Sequence, residues 1–115
     1  MEQTENTTNR TSRIRALNDA LRCGGKGGMI VVTNGIAQLT PDTGHAIYKA
    51  VAEFTAFNTD NDPYGEGDCA SLEVMGQRVI FKIDYYDRQR QAHSPDAANP
   101  AVTCRVLTIM LADEY

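Results

Sequence analysis

The stretch Ser71-Leu72-Glu73-Val74-Met75-Gly76-Gln77-Arg78-Val79-Ile80-Phe81-Lys82-Ile83-Asp84-Tyr85-Tyr86 decides the fold class. Two runs rich in Val, Ile, Phe and Tyr flank the dipeptide Gly76-Gln77, the pattern of a β-hairpin whose turn needs a residue without a Cβ. The second run alternates strictly. Side chains on a strand point to opposite faces in turn, so Val79, Phe81, Ile83 and Tyr85 take one face and Arg78, Ile80, Lys82, Asp84 and Tyr86 the other. An apolar face on a hairpin has to be covered, and the segments on either side supply the cover.

Upstream, Thr40-Pro41-Asp42 opens a helix, with Thr40 as its cap and Pro41 in the first turn, where a missing N–H costs nothing. Ile47, Val51 and Phe54 keep helical spacing, Ala50 and Phe57 extend the stripe, and the helix is expected to end near Phe57. Farther upstream, Met29-Ile30-Val31-Val32-Thr33 is a β-branched run between glycines and reads as a strand. Before it, Ile14, Leu17 and Leu21 fall on one helical face, joined by Ala20, with Thr11 or Ser12 as cap and Gly24-Gly25 as a left-handed stop. Residues 1–11 are polar and expected to be a disordered tail, leaving a single globular domain at 12–115.

Downstream, residues 87–98 form a polar loop containing Ser94-Pro95-Asp96. Asn99-Pro100 has the form of a helix start, and Val102, Val106, Ile109 and Met110 continue at helical spacing to Ala112-Asp113-Glu114-Tyr115. The same run is rich in Val, Thr and Ile, which equally suits a strand. The expected architecture is α+β: a small antiparallel sheet with a central β-hairpin packed against two or three helices.

Bulk composition fits a chain that buries a core. It has 115 residues, 42% hydrophobic and 23% charged, with a formal net charge of -4. A single domain of this length buries roughly two thirds of its unfolded surface. No apolar run approaches the ~18 residues of a membrane span, and Met1–Arg10 lacks the hydrophobic stretch of a secretory signal, so a cytoplasmic location is expected. The three cysteines, Cys23, Cys69 and Cys104, are odd in number and widely spaced, the pattern of free thiols rather than of disulfides or a zinc site.

Between the second helix and the hairpin lies Asn58-Thr59-Asp60-Asn61-Asp62-Pro63-Tyr64-Gly65-Glu66-Gly67-Asp68, with four carboxylates and no basic residue. Gly, Pro, Asn and Asp mark turns, so this is an ordered acidic loop, with Asp62 and Glu66 expected to bond backbone donors. Asp60, Asp62 and Gly65 fit positions one, three and six of a calcium loop, but Tyr64 and Ser71 stand where oxygen ligands belong, so no metal is expected. Gly24-Gly25-Lys26-Gly27-Gly28 is no phosphate loop, because its order is helix, glycines, strand. His45, His93 and the scattered cysteines read as structural or surface residues, a Cys–His nucleophile pair being the alternative that only the fold could assemble. No cofactor is expected.

Taken together, Asn61-Asp62-Pro63-Tyr64-Gly65-Glu66, Phe81-Lys82-Ile83-Asp84-Tyr85-Tyr86-Asp87, Ser94-Pro95-Asp96, Arg105–Ala112, Glu114-Tyr115 and Leu17-Asn18-Asp19 are similar to strings of an uncharacterised family of small bacterial proteins. That family is a domain of unknown function, frequent in alphaproteobacteria and on mobile DNA, and the resemblance spans about residues 14–115. Where the family usually continues Glu-His-Asp-Phe-Gly, this chain has Glu66-Gly67-Asp68-Cys69-Ala70, so a histidine ligand or base is missing. The resemblance implies no enzymatic activity. With the charge pattern, it points to a non-enzymatic inhibitor of a host defence complex, of the anti-CRISPR or anti-restriction type. The expected contact residues are Asp60, Asp62, Tyr64, Glu66, Asp68, Asp84, Tyr86 and Asp87. Their expected partner is a basic protein surface, such as the nucleic-acid groove of such a complex, without direct nucleic-acid or membrane binding. The alternative is a small metal-dependent or carboxylate-based hydrolase using Asp62, Glu66, Asp68 and Asp84.

Overall fold

The computed structural model describes residues 7–115. Helix α1 (Thr7–Gly24) leads into strand β1 (Gly28–Val32), the short helix α2 (Asn34–Ala37) and helix α3 (Pro41–Glu53). Strands β2 (Cys69–Val74) and β3 (Gln77–Tyr86) form the hairpin, and β4 (Cys104–Leu111) follows after a single 3₁₀ turn at Pro100–Val102. The sheet is open, four-stranded and mixed, in the order β1-β4-β3-β2. The α+β class, the hairpin and the covering helices are as the sequence implies. The parallel pairing of β1 with β4 makes the sheet mixed, while β2, β3 and β4 are antiparallel neighbours.

The alternation of β3 holds: Val79, Phe81, Ile83 and Tyr85 are buried while their neighbours are not. The hairpin turn falls one residue earlier than Gly76-Gln77. Val74 pairs with Gln77, leaving Met75 and Gly76 as the loop, both with positive φ, 50° and 80°. Two such residues give the turn whose twist matches the strands.

The segment expected to run as a helix from Asn99 is instead a strand. Asn99 does cap, its Oδ1 accepting from Ala101 N at 2.9 Å, but only for one 3₁₀ turn. β4 then fills the gap between β1 and β3, where a helix could satisfy neither ladder. Alternation of Arg105, Leu107 and Ile109 onto the core face replaces the helical spacing of Val102, Val106 and Ile109. Fully burying each of Phe81, Leu107 and Ile109 contributes about 1.5–3 kcal/mol.

Of the tail expected at 1–11, residues 1–6 lie outside the described residues, and the helix already runs from Thr7, so Thr11 and Ser12 lie within it. Its buried stripe is Ile14, Asn18, Leu21 and Arg22; Ala20 is exposed and Leu17 half-buried. Gly25, at φ 67°, makes the expected left-handed stop, and its N–H reaches Leu21 O at 2.8 Å. Thr40 caps α3 by accepting from Thr43 N at 3.3 Å. α3 ends at Glu53 rather than near Phe57. Arg22, buried on α1, donates Nη1 to Val51 O, Ala52 O and Phe54 O at 2.9, 3.1 and 2.9 Å, closing the helix end with a cation. The chain turns out there, and the rings of Phe54 and Phe57 both pack edge-on against Phe81. The helices and the inner sheet face thus share one apolar cluster.

Candidate functional site

The acidic loop is built from its asparagines first. Asn58 Oδ1 accepts from Asp60 N at 2.8 Å and Asn61 N at 3.0 Å, and Asn61 Oδ1 accepts from Asn58 N at 2.8 Å. These are local side-chain turns, which Asn forms readily. Asp62 follows, only 7% exposed. Both its oxygens accept from Gly67 N at 3.1 Å, and Arg15 Nη1 lies 3.5 Å from Oδ2. Gly67 has a positive φ of 62°, a backbone conformation that favours glycine, and a Cβ there would come 2.6 Å from Arg15 Nε, so the Arg15 side chain would have to shift.

Glu66 anchors the other side of the turn, through side chains rather than the backbone donors expected of it. A chain of hydrogen bonds runs from the buried cation of β4 to this carboxylate. Arg105 Nε donates to Asn18 Oδ1 at 2.9 Å, Asn18 Nδ2 to the Tyr85 hydroxyl at 2.8 Å, and that hydroxyl to Glu66 Oε1 at 2.8 Å. Asn18 Nδ2 also reaches Glu66 O at 3.1 Å, and Arg105 Nη2 donates to Ala97 O. Every donor in the series meets an acceptor, the condition under which a buried polar network holds one geometry. Burial pulls the Arg105 guanidinium down from its ordinary range, and burial together with the Glu66 contacts pushes the Tyr85 phenol up. The upward shift keeps Tyr85 a neutral donor. The Arg105 guanidinium also lies over the Tyr85 ring, 5.1 Å from its centre.

Between these two anchors Tyr64 projects, 80% exposed, flanked by exposed Pro63 and Gly65, with exposed Asp60 on the same loop. Asp68 is half-buried, and burial, then the Glu66 charge, raises its carboxyl above the ordinary value; Asp62 and Asp84 add to the effect, which places these carboxylates in one field.

The expected contact residues therefore divide. Asp60 and Tyr64 face solvent. Asp62 is corrected from a contact to a buried brace of the turn, because its oxygens are taken by Gly67 and Arg15. Glu66 is half-buried and held by Tyr85. Asp84 pairs with Lys82 at 3.0 Å, and Asp87 Oδ1 accepts from Gln91 N at 3.0 Å. Tyr86 stands half-buried on the outer sheet face. Arg15 is a part of the site that the sequence does not single out, whereas Asn18, Tyr85 and Arg105 appear there only within matching strings or as an inward strand position. Signals for two of them exist in the sequence: Asn18 sits four residues after Ile14 on the helical stripe, and Arg105 falls on the inward phase of its strand.

Among the described residues no group of three His, Cys, Asp or Glu is placed to hold a metal ion, and no helix is long and apolar enough to cross a membrane. The cysteines are free, Cys23 exposed and Cys69 and Cys104 half-buried.

These features define a small α+β protein with an open mixed sheet and a braced acidic turn. The chain belongs to the family described as protein of unknown function DUF3768, whose model matches residues 32–114. The match takes in the acidic loop, Tyr85 and Arg105 but leaves α1, the source of Asn18 and Arg15, outside. No curated protein and no solved structure matches the chain.

Proposed function

We propose that this protein is a non-enzymatic binding module that recognises a basic protein surface through the acidic turn, with Tyr64 at its centre. One observation carries the reading: an exposed tyrosine stands on a turn fixed on one side by Asp62 and on the other by Glu66. A preordered loop loses little entropy on binding, and tyrosine is a frequent anchor of interfaces. The surrounding carboxylates steer a basic partner and set its orientation. The hydrolase alternative has less support, since both oxygens of Asp62 are engaged by Gly67 and Arg15 and Oε1 of Glu66 accepts from Tyr85.

At its most specific, the proposal is a bacterial, mobile-element-borne cytoplasmic inhibitor of a defence complex, of the anti-CRISPR or anti-restriction type, occupying a basic nucleic-acid groove. The resemblance of the loop and strand strings to small mobile-element proteins supports this, together with the acidic charge of the turn. The test is affinity capture from cells expressing CRISPR or restriction systems, with wild type, Tyr64→Ala and Asp60→Lys as baits. The expected result is a nucleic-acid-binding complex retained by wild type, lost with either variant and released by salt. Retention indifferent to both substitutions and to salt would overturn it.

A further inference from the structure

The two edges of the sheet are guarded differently. At the β2 edge, Glu73 and Arg78 pair at 3.5 Å and the acidic loop adjoins the strand, so charge protects it. The β1 edge is Gly28-Met29-Ile30-Val31-Val32, with no charge and no proline, and Met29, Val31 and Val32 are exposed. A flat, neutral, β-branched edge is what folded proteins normally avoid unless it is paired.

Which backbone groups are free follows from the ladder. Thr33 N donates to Ile109 O at 3.1 Å, so its N–H points toward β4. Alternation then points the N–H and C=O of Val31 and Met29 the same way and turns those of Gly28, Ile30 and Val32 outward. Three residues thus offer donor and acceptor together along one line.

The ends of this line carry opposite charge. Lys26 lies just before it. Glu114 lies beside its other end, where it accepts from Gly35 N at 2.9 Å and from the Thr33 hydroxyl at 2.6 Å. Neither Lys26 nor Glu114 has an ion-pair partner among the described residues. A strand that is neutral along its length, positive at its start and negative beside its end is complementary to itself when reversed.

We propose that β1 pairs antiparallel with β1 of a second copy about a two-fold axis at Ile30, joining two sheets into one. In this register Ile30 pairs with its own counterpart and Gly28 with Val32, using the outward groups. Met29 meets Val31 of the other copy on the outer face, where both side chains are exposed. Lys26 of each copy approaches Glu114 of the other. Two acidic turns would then be carried on one assembly, an avidity effect for a symmetric partner.

The experiment is sedimentation equilibrium of the full chain across a wide concentration range, with circular dichroism as folding control. Wild type should be a dimer. Val31→Lys places two like charges close to the axis and should weaken association by at least about tenfold. Lys26→Asp, an exposed change that leaves the strand intact, should weaken it too. A wild type that stays monomeric at its highest soluble concentration overturns the proposal, even if β1 accepts a foreign strand. So does a dimer that neither Val31→Lys nor Lys26→Asp weakens.

Discussion

Asn18, in the middle of α1, accepts a 2.9 Å hydrogen bond from Nε of Arg105 on β4, a residue 87 positions away in the chain. Asn18 is fully buried and Arg105 is 2% exposed. The amide links the buried guanidinium to the Tyr85–Glu66 pair that holds the acidic turn, so one helix residue serves both the core and the surface.

Replacing Asn18 by alanine should therefore be among the most damaging changes in the protein. It leaves the Arg105 Nε donor without its acceptor and removes the donor to Tyr85. A cost of about 3 kcal/mol is expected, since a buried charge loses its partner. Tyr85→Phe removes only the hydroxyl and should cost about 1 kcal/mol. Urea denaturation of both variants checks the order, and equal losses would contradict the series described above.

The acidic loop should separate into residues that hold the fold and residues that do not. Asp62→Ala removes the acceptor of the buried Gly67 N–H and the partner of Arg15, with an expected loss of about 1–3 kcal/mol. Asp60→Lys and Tyr64→Ala, both at exposed positions, should stay within about 0.5 kcal/mol of wild type. Thermal melts of the three variants decide it. Stability unaffected by Asp62→Ala would mean that the turn is not braced there.

The hairpin turn offers room for improvement. Met75 sits at φ 50° and is 64% exposed, so it carries the left-handed penalty without burying much. Asparagine is the preferred residue before the glycine of such a turn, and Met75→Asn should stabilise by about 0.5–1 kcal/mol. A higher melting temperature with an unchanged circular dichroism spectrum is the expected readout; a lower one would show that Met75 packs on something important.

Asp68 should make the protein less stable as pH rises. Its ordinary value is 3.8, and burial, then the neighbouring Glu66, raises it in the folded state. Below 3.8 both states hold the proton and nothing is lost. As pH rises from there through the raised folded value, the unfolded chain gives up its proton first, and native stability falls. Asp68→Asn should abolish this loss, so the stability difference between variant and wild type should grow in the variant's favour across that window and then level off. Denaturation midpoints measured at a series of pH values give the curve, and a flat difference would refute the burial of this carboxyl.

Much of the fold is legible locally. The inward phase of Val79, Phe81, Ile83 and Tyr85, the Thr40-Pro41 helix start, the stop at Gly25 and the ordered nature of the Asn58–Asp68 loop are all decided within a few residues. Each depends on a dihedral preference, a short side-chain bond or a strict alternation, which no distant part of the chain needs to confirm. The exposed members of the site, Asp60 and Tyr64, are legible for the same reason: a turn of Pro, Gly and Asn puts its apex in solvent.

The tertiary structure alone decided what depended on partners. The Val102–Met110 run satisfies a helical and a strand period at once, and only the vacancy between β1 and β3 makes it a strand. The parallel pairing of β1 has no turn to announce it. Asp62 has the same local chemistry as Asp60, yet it is buried because Arg15 and Gly67 close around its carboxylate. Asn18 and Arg105 are polar residues at inward-facing positions, and each becomes tolerable in the core only because α1 lies on β4 and brings it the other. A buried polar group is stable only if its hydrogen bonds are met, and the residues that meet them are brought in by packing rather than by sequence neighbourhood.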